Sequence, residues 1–120
     1  MRIFKNGWFS RFAEREAISD EELKAAVADI ESGRFDADLG GGVYKQRLAR
    51  SGGGKSSGYR VIVFFKSGAR TFFVYGFAKS DKDNISKKEL AGYKTLAKTY
   101  FDFTDKQIET ATESGKLIEI

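Results

Sequence analysis

Four cations carry the chemistry this sequence offers: Lys45, Arg47, Arg60 and Lys79. Lys45 and Arg47 stand two apart in "VYKQRLA" (43–49), and in a strand that spacing sends both side chains to one face. Arg60 opens "YRVIVFFK" (59–66), and Lys79 closes "RTFFVYGFAK" (70–79), where Tyr75 and Phe77 share its alternation. Fixed cations select phosphate, and aromatic rings offer stacking surfaces to unpaired bases. The chain has no His and no Cys, which removes the commonest general base, the usual zinc ligand, thiolates and disulfides. From Leu39 to Ser80 there is no Asp or Glu but eight Lys and Arg, so that window lacks the clustered carboxylates of a metal-dependent nuclease. A metal-free ribonuclease needs less. The RNA 2′-hydroxyl is a built-in nucleophile, to be oriented, deprotonated and relieved of charge building on phosphorus. The planar fork of Arg suits the last task. A Lys whose pKa is lowered by neighbouring cations can serve as base or acid, and Lys45, Arg47 and Arg60 are expected to form such a mutually repelling cluster. No cofactor and no metal are expected.

The stretch "SGGGKSSGYR" (51–60) resembles a phosphate cradle and fails its test. A Walker A loop needs a Gly five residues before the Gly of Gly-Lys-Ser, and that position is Ala49. The motif must also open a helix, whereas the residues that follow, "GYRVIVFF", read as a strand. The segment is therefore expected to be a hairpin connection, with Arg50 and Lys55 reaching an RNA backbone.

The elements that must position these residues are legible from periodicity and caps. Asn6 is placed to cap a short helix over about 7–15, with Trp8 and Phe12 four apart. Ser19 and Glu22 form a capping box ahead of Leu23, Ala26, Val27 and Ile30, and Gly33 ends that helix. Three β-branched and aromatic runs follow, joined as a meander, with "KSGAR" as a tight turn. The middle run has no polar side, which predicts a strand covered on both faces. Ser86 with Glu89, and Thr104 with Gln107, open two further helices, over about 87–100 and to about Gly115. "KLIEI" is a short strand or an ordered tail. The fold class predicted is α+β: two N-terminal helices, an antiparallel sheet of three or more strands, then C-terminal helices, in a single domain over 1–120. No apolar run reaches membrane-helix length, and a cytoplasmic protein is expected.

Taken together, "DADLGGGVYKQRLA", "GKSSGYRVIVFF" and "RTFFVYGFAKSDKDNIS" resemble the RelE/HigB-type toxins of bacterial toxin–antitoxin systems, and more narrowly the longer HigB-like branch. The resemblance extends over essentially the whole chain, "SDEELKAAVADIESG" included. It implies a RelE-like fold and an mRNA interferase that enters the ribosomal A site. Cleavage would be by 2′-hydroxyl attack, leaving a 2′,3′-cyclic phosphate and a 5′-hydroxyl. It also implies a cognate antitoxin of helix-turn-helix type, and operator DNA bound only through the toxin–antitoxin complex. By position, Lys45 and Arg47 match the family's basic pair, Arg60 the arginine of its Gly-Tyr-Arg strand, and Lys79 the basic residue after the last strand. Many RelE-type toxins place a Tyr or His a few residues further on. Here "SDKDNIS" has neither, and Asn84 can hydrogen-bond but not transfer protons. Lys45 or Lys79 is left as the proton-transfer group, with Tyr75 or Phe77 for stacking. Two other classes fit the same residues: a non-catalytic RNA- or ribosome-binding inhibitor, and an interaction protein whose basic face docks an acidic antitoxin segment.

Overall fold

The computed structural model describes residues 1–49 and 58–120. In chain order these form β1 (Ile3–Asn6), α1 (Gly7–Arg15), α2 (Asp20–Glu31), β2 (Ala37–Asp38), β3 (Val43–Leu48), β4 (Tyr59–Phe64), β5 (Thr71–Ala78), α3 (Lys87–Phe101), α4 (Asp105–Glu113) and β6 (Leu117–Glu119). The strands make one sheet in the order β2-β3-β4-β5-β1-β6.

The helices form where the caps predict them. Asn6 accepts a hydrogen bond from the Phe9 N–H at 2.7 Å, and reciprocal capping boxes stand at Ser19/Glu22, Ser86/Glu89 and Thr104/Gln107. Gly33 ends the region of α2 in the left-handed conformation, φ 85°. The apolar stripes of α1 and α2 meet Val61, Val63 and Phe73 on one face of the sheet. The residues of α3 and α4 meet Val43, Ile62, Phe64 and Phe72 on the other. All six residues of β4 are buried between these layers, as its unbroken apolar run predicts.

Two strands escaped the sequence reading. β1 inserts between β5 and β6, parallel to the first (Phe4 beside Phe72) and antiparallel to the second (Lys5 beside Ile118). The sheet is therefore mixed, not antiparallel throughout. A four-residue strand has no periodicity to read, and what makes it a strand is a pair of neighbours from the far half of the chain. β2 is shorter still, pairing Ala37 with Lys45 and Asp38 with Tyr44.

The β2–β3 turn rests on glycine. Gly40, Gly41 and Gly42 all have positive φ, at 90°, 63° and 81°. A Cβ on Gly42 would lie 2.6 Å from the Phe101 ring and 3.2 Å from the Phe65 carbonyl. Only glycine lets this hairpin fold back so closely, and the hairpin carries Asp36 into the site.

Candidate functional site

β3 and β4 run antiparallel with Arg47 directly opposite Arg60 and Lys45 opposite Ile62. Residues opposite each other share a face, so Val43, Lys45 and Arg47 lie with Arg60 and Ile62. Tyr44 and Leu48 turn to the α1/α2 side. Val43 and Ile62 belong to the apolar cluster under α3, and beyond them the same face continues as cations.

These cations converge on one carboxylate. Arg47 Nε donates to Asp36 Oδ1 at 3.0 Å, and Lys45 Nζ and Arg60 Nε each lie 3.5 Å from Asp36 Oδ2. The expected cluster of mutually repelling cations is thus corrected: Lys45, Arg47 and Arg60 do come together, but around a shared counter-charge. Asp36 lies just outside the carboxylate-free window, and the β2–β3 hairpin returns it to the very cations that window contains. Arg60 is only 5% exposed, whereas the Arg47 side chain is 48% exposed. One guanidinium is anchored in the sheet and the other faces solvent. Lys45 Nζ also donates to Asn84 Oδ1 at 3.3 Å, and that oxygen accepts the Ile85 N–H at 2.9 Å. The segment after β5 is thereby tied to β3.

An aromatic row stands next to the cations. Across β4 and β5, Phe77 is opposite Arg60 and Tyr75 opposite Ile62. Phe77 is buried, Tyr75 only partly so. Lys82 Nζ lies 5.4 Å from the Tyr75 ring centre and 5.9 Å from that of Phe77. It donates to Glu89 Oε2 at 2.6 Å, while Glu89 Oε1 accepts the Ser86 N–H at 2.8 Å. These bonds hold the Glu89 carboxyl below its ordinary range, the Lys82 bond foremost. The same bond raises Lys82. Tyr93, 5.9 Å from Tyr75, is pushed well up by burial and then by the charges of Tyr75 and Glu89, so its phenol holds its proton.

Lys79 lies apart from the cluster at Asp36. It is exposed, one residue past β5, and its N–H donates to the Gly58 carbonyl at 3.1 Å. Arg50 and Lys55, and the glycine stretch that holds them, lie outside the described residues. Asp36 and Lys82 were missed as site residues. The signal for Lys82 is its place in "SDKDNIS", four residues ahead of a capping serine whose Glu89 has a second oxygen to offer. Asp36 gives no local signal. Among the described residues no group of three or more His, Cys, Asp or Glu could hold a metal ion, and no helix is long and apolar enough to cross a membrane.

The architecture defines a small α+β protein with helices on both faces of a mixed sheet, and with fixed cations beside aromatic rings at one end of one face. The model of the RelE toxin of the RelE/RelB toxin–antitoxin system matches residues 1–120, and the chain belongs to that family. It is a toxin of a toxin–antitoxin system, and the family implies an antitoxin partner. No curated protein matches the sequence.

Proposed function

We propose that this toxin, of the HigB-like branch, is a metal-independent endoribonuclease that cuts mRNA in the ribosomal A site. The observation that carries the reading is the convergence of Lys45, Arg47 and Arg60 on the single carboxylate of Asp36. Three cations already held in ion-pairing range of one anion are preorganised for another, a phosphodiester. The exposed Arg47 meets the phosphate first, and the anchored Arg60 takes charge that builds on its oxygens. The 2′-oxygen attacks phosphorus, the bond from phosphorus to the 5′-oxygen breaks, and a 2′,3′-cyclic phosphate remains. One proton leaves the 2′-hydroxyl and one is supplied to the departing 5′-oxygen. Lys45, between Asp36 and Asn84, is the side chain at the cluster that exchanges or orients these protons, with Lys79 as the alternative. Arg50, Lys55 and Lys79 contact flanking phosphates, and Tyr75 supplies a stacking surface. The antitoxin is of helix-turn-helix type and carries the complex to operator DNA; the toxin works in the cytoplasm as a single domain over 1–120.

Primer extension on mRNA from ribosomes given the protein tests this. Codon-periodic 5′ ends are expected with the native chain. Arg60→Ala is expected to lower their rate by about 10²–10³, as for loss of one charge-stabilising donor elsewhere. Translation arrest with intact mRNA refutes cleavage and leaves the non-catalytic inhibitor as the reading.

A further inference from the structure

β1 pairs with β5 only as far as Lys5 beside Phe73; Asn6 still pairs with Leu117 of β6, and the chain then turns into α1. Asn6 fixes that departure: its amide donates to the Val74 carbonyl at 3.1 Å while its oxygen caps α1. Among the described residues, the last residues of β5, Tyr75 to Ala78, therefore pair with no strand on that side, and the first turn of α1 stands there instead. Trp8 occupies that place. It is the only tryptophan of the chain and is 39% exposed. Its ring centre lies 4.7 Å from that of Tyr75 and 5.4 Å from that of Phe12. A recess of about 240 Å³ opens beside it, lined by Trp8, Phe12, Arg15, Glu16, Phe77 and Asp81.

We infer that this corner is a nucleobase site, in which Trp8, backed by Tyr75, takes an unpaired base of the RNA strand whose phosphates lie on Lys45, Arg47 and Arg60. The inference rests on the RNA reading above and adds a subsite to it. Register supplies the geometry. Tyr75 and Phe77 are aligned through Ile62 and Arg60 with Lys45 and Arg47, so rings and cations are one or two strand spacings apart, about 5–10 Å. A backbone held by the cations thus brings a neighbouring base to the rings. At the recess itself Glu16 already accepts from the Tyr59 hydroxyl at 2.8 Å and from Arg15 at 3.3 Å, and Asp81 adds a carboxylate that repels phosphate and accepts hydrogen bonds from an exocyclic amino group. The charges therefore sort the strand, phosphates to the sheet face and a base to the corner. A base with an exocyclic amine, such as adenine, fits better than uracil.

A 2′-O-methyl hexa-adenylate, which has no 2′-hydroxyl to attack, is the probe, beside an abasic chain of equal length and charge. Binding is read by anisotropy of an end label and stacking by the emission of Trp8. Both chains are expected to bind at low salt, with only the adenylate quenching the indole. Trp8→Ala is expected to weaken adenylate binding about five- to a hundred-fold and to spare the abasic chain, and Trp8→Phe to retain most of the affinity. Equal indole responses to the two chains overturn the inference, as does an unchanged adenylate affinity in Trp8→Ala. Binding with a silent indole overturns it, as does no binding of either chain by anisotropy, while the RNA reading is judged separately by the primer extension on ribosomes. The indole response of the native chain decides the matter even if Trp8→Ala fails to fold.

Discussion

Replacing Asp36 by Asn removes the counter-charge of three cations while keeping the shape of the side chain. Arg47 then faces Arg60 directly across the strand pair, with Lys45 one step away. The three ion pairs differ in worth. The Arg47 side chain is half exposed, and a pair of that kind contributes at most about 1 kcal/mol. Arg60 and Asp36 are both largely buried, at 6% and 13% side-chain exposure, and removing one partner of a buried pair costs about 3–5 kcal/mol. Asn retains a carbonyl oxygen that still accepts from a guanidinium, which offsets part of this. The net expectation is a loss of about 2–4 kcal/mol, large against the roughly 5–15 kcal/mol of a whole domain. Urea denaturation of the two proteins measures it as a fall in midpoint at unchanged slope. The same titration with inorganic phosphate tests the functional claim. An anion that takes the place of Asp36 stabilises the variant by about 2.7 kcal/mol at a hundredfold excess over its Kd. The native chain, whose cations are already paired, gains much less. If Asp36→Asn is as stable as the native protein, or if phosphate raises both midpoints equally, the carboxylate is not standing where a phosphate would.

Two further changes probe the scaffold around the site. Ala17, between α1 and α2, holds φ 56°, a left-handed conformation that costs a side-chain-bearing residue about 1–2 kcal/mol. Ala17→Gly is expected to raise the unfolding free energy by up to about 1 kcal/mol once the added freedom of the unfolded glycine is subtracted, read as a higher urea midpoint, and a lower midpoint would show that the conformation is unstrained. At the other end of the site, Lys82 and the Ser86 N–H lower the folded-state pKa of Glu89 below its ordinary 4.5. Its contribution to stability is fully present above the unfolded value and is lost as pH falls through the lower folded one. Glu119, lowered by its bond to Arg2, behaves in the same direction. Glu89→Gln should therefore be less stable than the native chain at pH 7, with the difference shrinking below about pH 4. A difference that does not change with pH would assign the effect to the capping bonds alone.

Much of this fold was legible because its signals are local. Each helix announces itself through a cap that bonds residues three apart, and Asn6, Ser19, Ser86 and Thr104 all make the bonds their spacing predicts. β3, β4 and β5 are long enough to show their faces, so the shared side of Lys45 and Arg47 could be read from alternation, whereas the place of Arg60 beside them is set by the register of β3 and β4. β1 and β2 could not, because strands of four and two residues exist only through partners elsewhere in the chain. The same holds for the site. Types and spacing led to the expectation that cations gather with aromatic rings near them. The carboxylate at their centre, the burial of Arg60 against the exposure of Arg47, and the meeting of Trp8 with Tyr75 were decided by tertiary structure. Asp36 reaches Arg60 only through the registers of two hairpins, and Trp8 reaches Tyr75 only because β1 stops short along β5. Periodicity assigns a residue to a face of its own strand or helix. Which residues of other elements share that face is fixed by strand order and register, and those are settled by the packing of the whole chain.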